Sequence, residues 1–307
     1  MRVRLKAVLL LAMLVFSFLT AHAWAEPAPR PLHVRNHFPP HLMLLRPVPD
    51  SPVQLPLKHL ELSVSADYAS VFVDERSEKW RVLMDMEMAV LDLGLRYGIT
   101  EKLALSLDLP LISMNAGFLD GFLDEYHSAF GFPDYGRSKR PKNEFAYVMQ
   151  KDGEDLFHTE SGGCHLGDAS VSAKLSLADE SFWEIPVSLS LSYTLKMPTG
   201  DKSQGVGSGG FDHGFFLLSQ ARFSRFTTYL NAGYILLSDP ETSGPDLSVR
   251  DMLTLFAGAE YRVSNSWTLS AQLDYYTSPF ENTGISQLDD DSLGLALGLR
   301  CKLSSTR

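Results

Sequence analysis

Residues 185–196 read IPVSLSLSYTLK, and that run decides the fold. Ile185, Val187, Leu189, Leu191, Tyr193 and Leu195 share one parity, while Ser188, Ser190, Ser192, Thr194 and Lys196 share the other. Side chains along a strand point alternately to opposite faces, so a strict period of two gives one apolar and one polar face. GDASVSAKLSL, residues 167–177, repeats the pattern: Ala169, Val171, Ala173, Leu175 and Leu177 stand opposite Asp168, Ser170, Ser172, Lys174 and Ser176. Outward from this pair, further alternating stretches appear at about 58–72, 80–97, 102–113, 211–224, 226–237, 250–263, 267–277 and 291–303. The last carries the apolar stripe Leu293, Leu295, Leu297, Leu299, Cys301 and Leu303. In the second, Val82, Met84, Met86 and Met88 are apolar in even phase and Leu91, Leu93, Leu95 and Tyr97 in odd phase, which predicts a bulge near Val90.

The connections alternate in length. Short ones fall at 98–101, 179–182, 224–225 and 264–266; long ones at 73–79, 114–166, 198–210, 238–249 and 278–290. Short turns on one rim and long loops on the other are the mark of an up-and-down antiparallel barrel in a bacterial outer membrane. Both termini then belong on the short-turn, periplasmic side. A soluble barrel or sandwich would share the period with its apolar face turned inward, and the aromatics separate the two readings. Tyr97, Trp183, Phe223, Phe226, Tyr261 and Trp267 lie beside short turns, and Phe72, Trp80, Phe215, Tyr234 and Tyr275 beside long loops. Two rings of amphipathic aromatics suit the two membrane interfaces.

The N-terminus agrees with export. Arg2, Arg4 and Lys6 precede an apolar core at 7–19, and Ala23-Trp24-Ala25 offers a cleavage site, so residues 1–25 read as a signal peptide. Without its three cations the chain keeps 24 Lys and Arg against 37 Asp and Glu, a balance of −13. Such a surface repels nucleic acid and has no basic groove for a phosphate backbone. Residues 26–56 hold Pro27, Pro29, Pro31, Pro39, Pro40, Pro47, Pro49, Pro52 and Pro56, which bars them from a central sheet. They read as a periplasmic arm or as a segment tucked into the lumen. The barrel is expected over 57–303, with a tail at 304–307.

Several motifs carry a resemblance. GFLDGFLDEYHSAFGFPDYGR at 117–137, GDASVSAKLSL at 167–177, LKMPTGD at 195–201 and GSGGFD at 207–212 together resemble an uncharacterised family of Gram-negative outer-membrane proteins known only as a domain of unknown function. The later motifs are also similar to barrels of the phenol meta-cleavage pathway transporter type. The resemblance spans about 57–303 and implies an outer-membrane barrel, without naming a substrate or catalytic residues; the alternating stretches themselves give ten strands, or twelve if the hairpin at 144–160 joins the wall. The chain departs from the usual aromatic C-terminal residue of such barrels, since Ser304 to Arg307 follow Leu303.

The insertion at 114–166 is the richest segment for function. Phe118, Leu119, Phe122, Leu123, Tyr126 and Phe130 recur at helical spacing, predicting an amphipathic helix over 116–130 that ends before Pro133. Phe118, Phe122, Tyr126 and Phe130 are candidates for a gate or plug at the mouth; the alternative is a helix that caps the rim. Lys151-Asp152-Gly153 predicts a hairpin over 144–160, either projecting outward or adding two wall strands.

The polar phase nominates lumen residues: Glu61, Asp67, Asp85, Glu87, Asp92, Arg96, Asp108, Asp168, Lys174, Lys196, Arg222, Glu260, Arg262, Asp274 and Arg300. Mixed signs at this density line a polar pore or pair across a narrow barrel and fill it. Phe216, Leu218, Tyr229 and Phe256 fall in the same phase and would suit an apolar solute.

Signals for chemistry are weak. His158-Thr159-Glu160-Ser161-Gly162 offers a histidine, a carboxylate and a hydroxyl, but a triad needs an oriented base and an oxyanion donor. His37 and His41 flank Pro39-Pro40 and read as solvated linker residues, not metal ligands. Asp289-Asp290-Asp291 reads as a solvated acidic loop, with bridging of lipopolysaccharide through divalent cations as the alternative. Residues 205–210 open no helix and form no phosphate cradle. No catalytic residue, metal or cofactor is assigned. The expected role is a passive channel or transporter-like pore for small molecules; a structural or interaction barrel with a plugged lumen comes second and an outer-membrane hydrolase third. Expected partners are outer-membrane lipid and lipopolysaccharide, the barrel-assembly machinery and an unspecified small solute. Cys164 and Cys301, placed on opposite rims, are expected to be free thiols.

Overall fold

The computed structural model describes residues 30–46, 48–159, 162–180 and 186–302. The signal peptide, Trp183 and the C-terminal tail lie outside the described residues. Strands β1 (Leu60–Arg76), β2 (Trp80–Gly98) and β3 (Leu103–Asn115) open an antiparallel meander. It continues through β7 (Ser170–Ala178), β8 (Val187–Lys196), β9 (Asp212–Phe223), β10 (Phe226–Leu236), β11 (Met252–Arg262), β12 (Trp267–Tyr276) and β13 (Ser292–Cys301). The insertion adds helix α2 (Asp120–Phe130) and three short strands: β4 (Ala146–Lys151), β5 (Glu154–Thr159) and β6 (Gly163–Leu166). All thirteen strands belong to one sheet.

Ten strands form the consecutive meander, and the hairpin supplies extra wall. β2 is long enough to pair β1 along its whole length on one edge, and on the other to pair β3 through 87–98 and β4 through 80–85. β4 thus continues the wall where β3 has turned away. Asp152 and Gly153, both at positive φ, make the turn the sequence called for. β6 lies on the upper part of β3 and β7 on its lower part, so the fourth predicted strand is interrupted at 167–169.

Two expectations are corrected here. β1 and β2 are joined by residues 77–79 alone, because both strands continue upward past the expected loop. No bulge interrupts β2: its register to β1 runs unbroken from Tyr97 to Arg81. The change of apolar phase has another cause. Even positions face inward throughout, and in the upper half Val82, Met84, Met86 and Met88 are buried against an apolar filling of the lumen. Lower down the inward positions turn polar, at Asp92 and Arg96, while Leu91, Leu93 and Leu95 face out.

β13 and β1 make no ladder with one another among the described residues, so the sheet ends on two edges. Its curvature brings both ends together nonetheless. Arg30 pairs with Glu61 on β1, and its carbonyl accepts from Arg300 on β13. Outward faces stay bare: Leu293, Leu295, Leu297 and Leu299 are 60 to 76% exposed. Phe223, Phe226, Tyr261 and Trp267 are exposed at the lower rim, and Phe215 and Tyr234 toward the upper. Trp80 departs from its expected place; it is buried in the interior cluster, with the Lys151 ammonium 5.6 Å from its ring centroid.

Candidate pore and the arm that fills it

The Pro-rich arm lies inside the sheet and makes one excursion up the lumen and back. Ascending, the Leu32 backbone exchanges two hydrogen bonds with Gln272, His33 meets the Ser65 hydroxyl at 3.0 Å, and Arg35 pairs with Asp92 at 3.0 Å. The short helix α1 (Pro39–Leu42) forms the apex, with Pro at its first turn where the missing N–H is no loss. Descending, Leu45 N–H donates to Asp212 at 2.8 Å, Asp50 pairs with Arg96 and Lys174 at 3.0 Å each, and Ser51 donates to Gln220 at 2.8 Å. Ser190 then donates to the Pro52 carbonyl, and Pro56 lies against the turn at Gly98. Proline removes donors and blocks sheet pairing, so the arm's backbone and side chains meet side chains of the wall in place of a ladder.

Three of the four motifs that carry the resemblance meet at the arm. Lys196 in LKMPTGD donates to the Met43 carbonyl at 2.8 Å and pairs with Asp168 at 2.9 Å and Asp212 at 3.0 Å. Ser208 in GSGGFD bonds the same ammonium and sends its own N–H to Asp168. All four polar side chains are buried. A buried charge is costly unless paired and hydrogen-bonded; Asp168, Asp212 and Ser208 meet that condition for Lys196, and the Met43 carbonyl of the seated arm adds a fourth partner.

The two halves of the lumen differ. Above, Met43, Met84, Met86, Met88, Met114 and Met149 pack with Tyr147, Phe157, Phe280 and Leu288 into one apolar cluster. Below, Asp50 draws together Arg96, Lys174 and, at 3.9 Å, Arg30, while Arg300 pairs with Glu260 at 2.9 Å. Burial alone would raise the Asp50 carboxyl, but Arg96, Lys174 and Arg30 outweigh it and hold it well below the usual carboxylate range. The arm leaves two cavities beside it. One of about 290 Å³ is lined by Arg35, Asp50, Asp92, Arg96, Asp108 and Lys174. The other, about 350 Å³, is lined by Val34, His41, Phe216, Met252, Phe256 and Tyr276.

His41 is not a solvated linker residue and His37 is only partly exposed, which corrects a further expectation. His41 is buried, stacked 5.8 Å from Phe280 and edge-on to Tyr276. Burial and the nearby Arg46 push it down to about 4. Burial and Arg35 likewise push His33 down to about 4 against the pull of Asp92, and burial leads the lowering of His37. Arg46, itself lowered to about 10 by burial and then by Arg35, sits beside Asp67 and Asp92. Donor atoms of His33, Asp67 and Asp92 come within 4.8 Å of one another, a geometry a small cation could use. Arg35 and Arg46 already supply the positive charge those two carboxylates call for.

Among the nominated lumen residues, Glu61, Arg96, Asp108, Lys174, Lys196, Glu260, Asp274 and Arg300 hold the inward phase, with Arg222 and Arg262 on that phase at the lower rim. Asp85 and Glu87 do not. Their odd phase in β2 faces outward, and the insertion covers them there. Asp85 pairs with Arg140 at 3.1 Å, and Glu87 accepts from the amides of Phe118 and Leu119 and from Tyr68. The period alone places these two carboxylates inward, whereas the loop supplies their partners from outside. Phe118, Phe122, Tyr126 and Phe130, nominated as a gate or plug, are exposed and line neither cavity. Sequence reasoning missed Arg30, Arg35, Arg46 and Asp50 as wall partners; four charges spaced through a Pro-rich segment were the available signal.

Other candidates resolve locally. His158 is exposed and meets Asp155 at 3.1 Å, while Glu160 and Ser161 lie outside the described residues. Asp289 accepts from Thr283 and Gly284, and Asp291 from Tyr275 and Ser278, so both fix the last upper loop. Cys164 and Cys301 are free and exposed.

Residues 7–307 match the family described as protein of unknown function (DUF3187), and the chain belongs to it. No curated protein matches. Solved structures with a similar chain path include the COG4313 outer membrane channel from Pseudomonas putida F1, at 14% identity and TM-score 0.45 over 79% of this chain and 76% of that one. A Pseudomonas aeruginosa FadL homologue is 14% identical with TM-score 0.41, over 82% of this chain and 65% of that one. The P. putida toluene transporter TodX is 13% identical with TM-score 0.37, over 80% and 69%. These likenesses are remote.

Proposed function

We propose that this member of the DUF3187 family is an outer-membrane pore for small molecules, held shut by its own N-terminal arm. The observation that carries the reading is the opposition of the two faces of the wall. Outward positions are apolar and bare over strand after strand, as hydrocarbon requires. Inward positions are polar in the lower half and bind the arm through ion pairs and side-chain hydrogen bonds. Such contacts exchange for water on release, so the limbs held this way are able to leave once the apex, Leu42 to Leu44, gives up its apolar packing. The 350 Å³ cavity, with apolar walls and a few polar groups, has the size and character of a small-molecule site.

A second reading, a structural barrel with a permanent plug, is favoured by the methionine-rich cluster around the apex, which is packed as a protein core. Conductance separates the two. In planar bilayers the full chain should show small or rare openings, and a variant with residues 30–52 replaced by a short Gly-Ser linker should conduct steadily. If that variant keeps heat-modifiable migration, showing an intact wall, yet passes no current, the structural reading stands instead.

A further inference from the structure

Helix α2 is the feature the pore does not absorb. Its rings stand in one stripe: Phe122 and Tyr126 are 6.3 Å apart between centroids, Tyr126 and Phe130 4.8 Å, and Phe132 joins them at 5.9 Å from Tyr126. Phe122 is 62% and Phe130 66% exposed, although an exposed aromatic cluster of this kind is costly in water. The opposite side is tied to the outside of the wall. Glu87, fully buried, accepts from the amides of Phe118 at 2.8 Å and Leu119 at 2.5 Å. Gly117, at φ +73, gives that carboxylate room, since a Cβ would collide with it. Buried Asp120 and Asp85 both pair with Arg137, whose guanidinium lies 5.2 Å over the Phe72 ring.

The height of this anchor is set by β2. Its outward residues are Tyr97, Leu95, Leu93, Leu91 and Ala89, and the next is Glu87. From Tyr97 to Ala89 the strand climbs roughly 20 Å at about 3.3 Å per residue and a tilt of about 40°. The apolar band of such barrels is about 25 Å tall, so Glu87 marks its upper edge. The band runs on into the helix without a break, because Phe118 contacts the outward-facing Tyr68 with centroids 6.0 Å apart.

We infer that α2 is a membrane-interface helix: it lies along the outer face of the barrel and seats Phe122, Tyr126 and Phe130 in the outer leaflet, at the boundary between headgroups and acyl chains. The inference rests on the membrane-spanning reading of the wall. The occupant is lipid because the stripe is contiguous with the bare strand faces and lies at their upper edge. Amphipathic aromatics favour that depth, and a helix with one apolar face lies in its plane.

Site-directed nitroxides test it. With Cys164→Ser and Cys301→Ser as background, single cysteines replace Phe122, Phe130, Leu297 or Glu154, and the labelled full-length protein is reconstituted in phosphatidylcholine vesicles. Power saturation compares collisions with oxygen, which concentrates in lipid, and with a water-soluble nickel chelate. Labels at 122 and 130 should favour oxygen as the label at 297 does, while the label at 154, on the hairpin above, should favour nickel. Nickel access at 122 and 130 with oxygen access at 297 would overturn the helix inference alone. Shielding of 122 and 130 from both reagents would also overturn it, in favour of a protein partner. Nickel access at 297 would instead sink the spanning reading on which it rests.

Discussion

The upper and lower halves of the lumen hold the same arm by opposite means. Around the apex, Met43 and its neighbours exclude water, and apart from the Lys196 bond to the Met43 carbonyl and the Leu45 bond to Asp212 the interaction is non-directional and adaptable, as methionine packing generally is. Around the descending limb, Asp50 is one carboxylate serving Arg96, Lys174 and Arg30, and its geometry fixes which residue of the arm faces which strand. The apolar half therefore supplies grip and the charged half supplies register. The halves should fail differently when damaged.

The largest effect belongs to the charged half. Asp50→Asn leaves Arg96 and Lys174 crowded in a largely buried site without their anion, while Arg30 keeps Glu61, and breaking a fully buried pair costs about 3 to 5 kcal/mol, the upper bound here. The seated arm should be lost, trypsin should cut after Arg35, which Asn36 follows, and single-channel conductance should rise. Protection equal to wild type would mean the ion lattice is incidental. In the apolar half, Met43→Ala removes contacts at the apex for about 2 to 5 kcal/mol. It should lower the unfolding temperature while keeping the register of the lower limb, which trypsin protection would show; exposure equal to that of Asp50→Asn would erase the distinction drawn here.

The wall gives a third contrast. Leu191→Arg places a charge in hydrocarbon and should cost about 2 to 4 kcal/mol in a lipid-based unfolding assay. Ser190→Arg faces the lumen, but Ser190 is fully buried beneath the Pro52 carbonyl, so it should expel the arm and leave the wall intact. Equal loss of barrel stability in the two variants would contradict the assigned faces.

The smallest effect concerns pH. His33 and His41 sit near 4 in the lumen against an ordinary value of 6.5, so the seated arm binds fewer protons than the released one. Seating keeps its full stability above about pH 6.5 and loses it as the pH falls toward about 4. Asp50 stays ionised across that window, so among these groups of the arm the change belongs to the histidines. Openings should become more frequent on acidification, and a His33→Gln/His41→Gln double variant should flatten the profile; an unchanged profile in that variant would count against this cause.

Much of the wall was legible because period two is a direct image of the pleat. In β8 and β13 the apolar and polar parities match the outer and inner faces along their length. The pattern misled where another part of the chain covers the wall. The even-phase methionines of β2 looked lipid-facing because an inward face against an apolar plug reads like an outward one. Asp85 and Glu87 looked lumenal because their partners come from a loop far away in sequence. The arm has no period at all, since its conformation is set by proline and by the walls it touches, so its partners appear only once the sheet has curled around it.

One consequence of the arm's route concerns topology. Its described part enters beside Glu61 and Arg300 and leaves beside Gly98, both at the same rim, with only the apex carried upward. It is a bight of rope pushed into a tube. A bight is drawn out from the side it entered, with no free end to thread and no strand of the tube to part. Withdrawal and return leave every wall ladder unbroken.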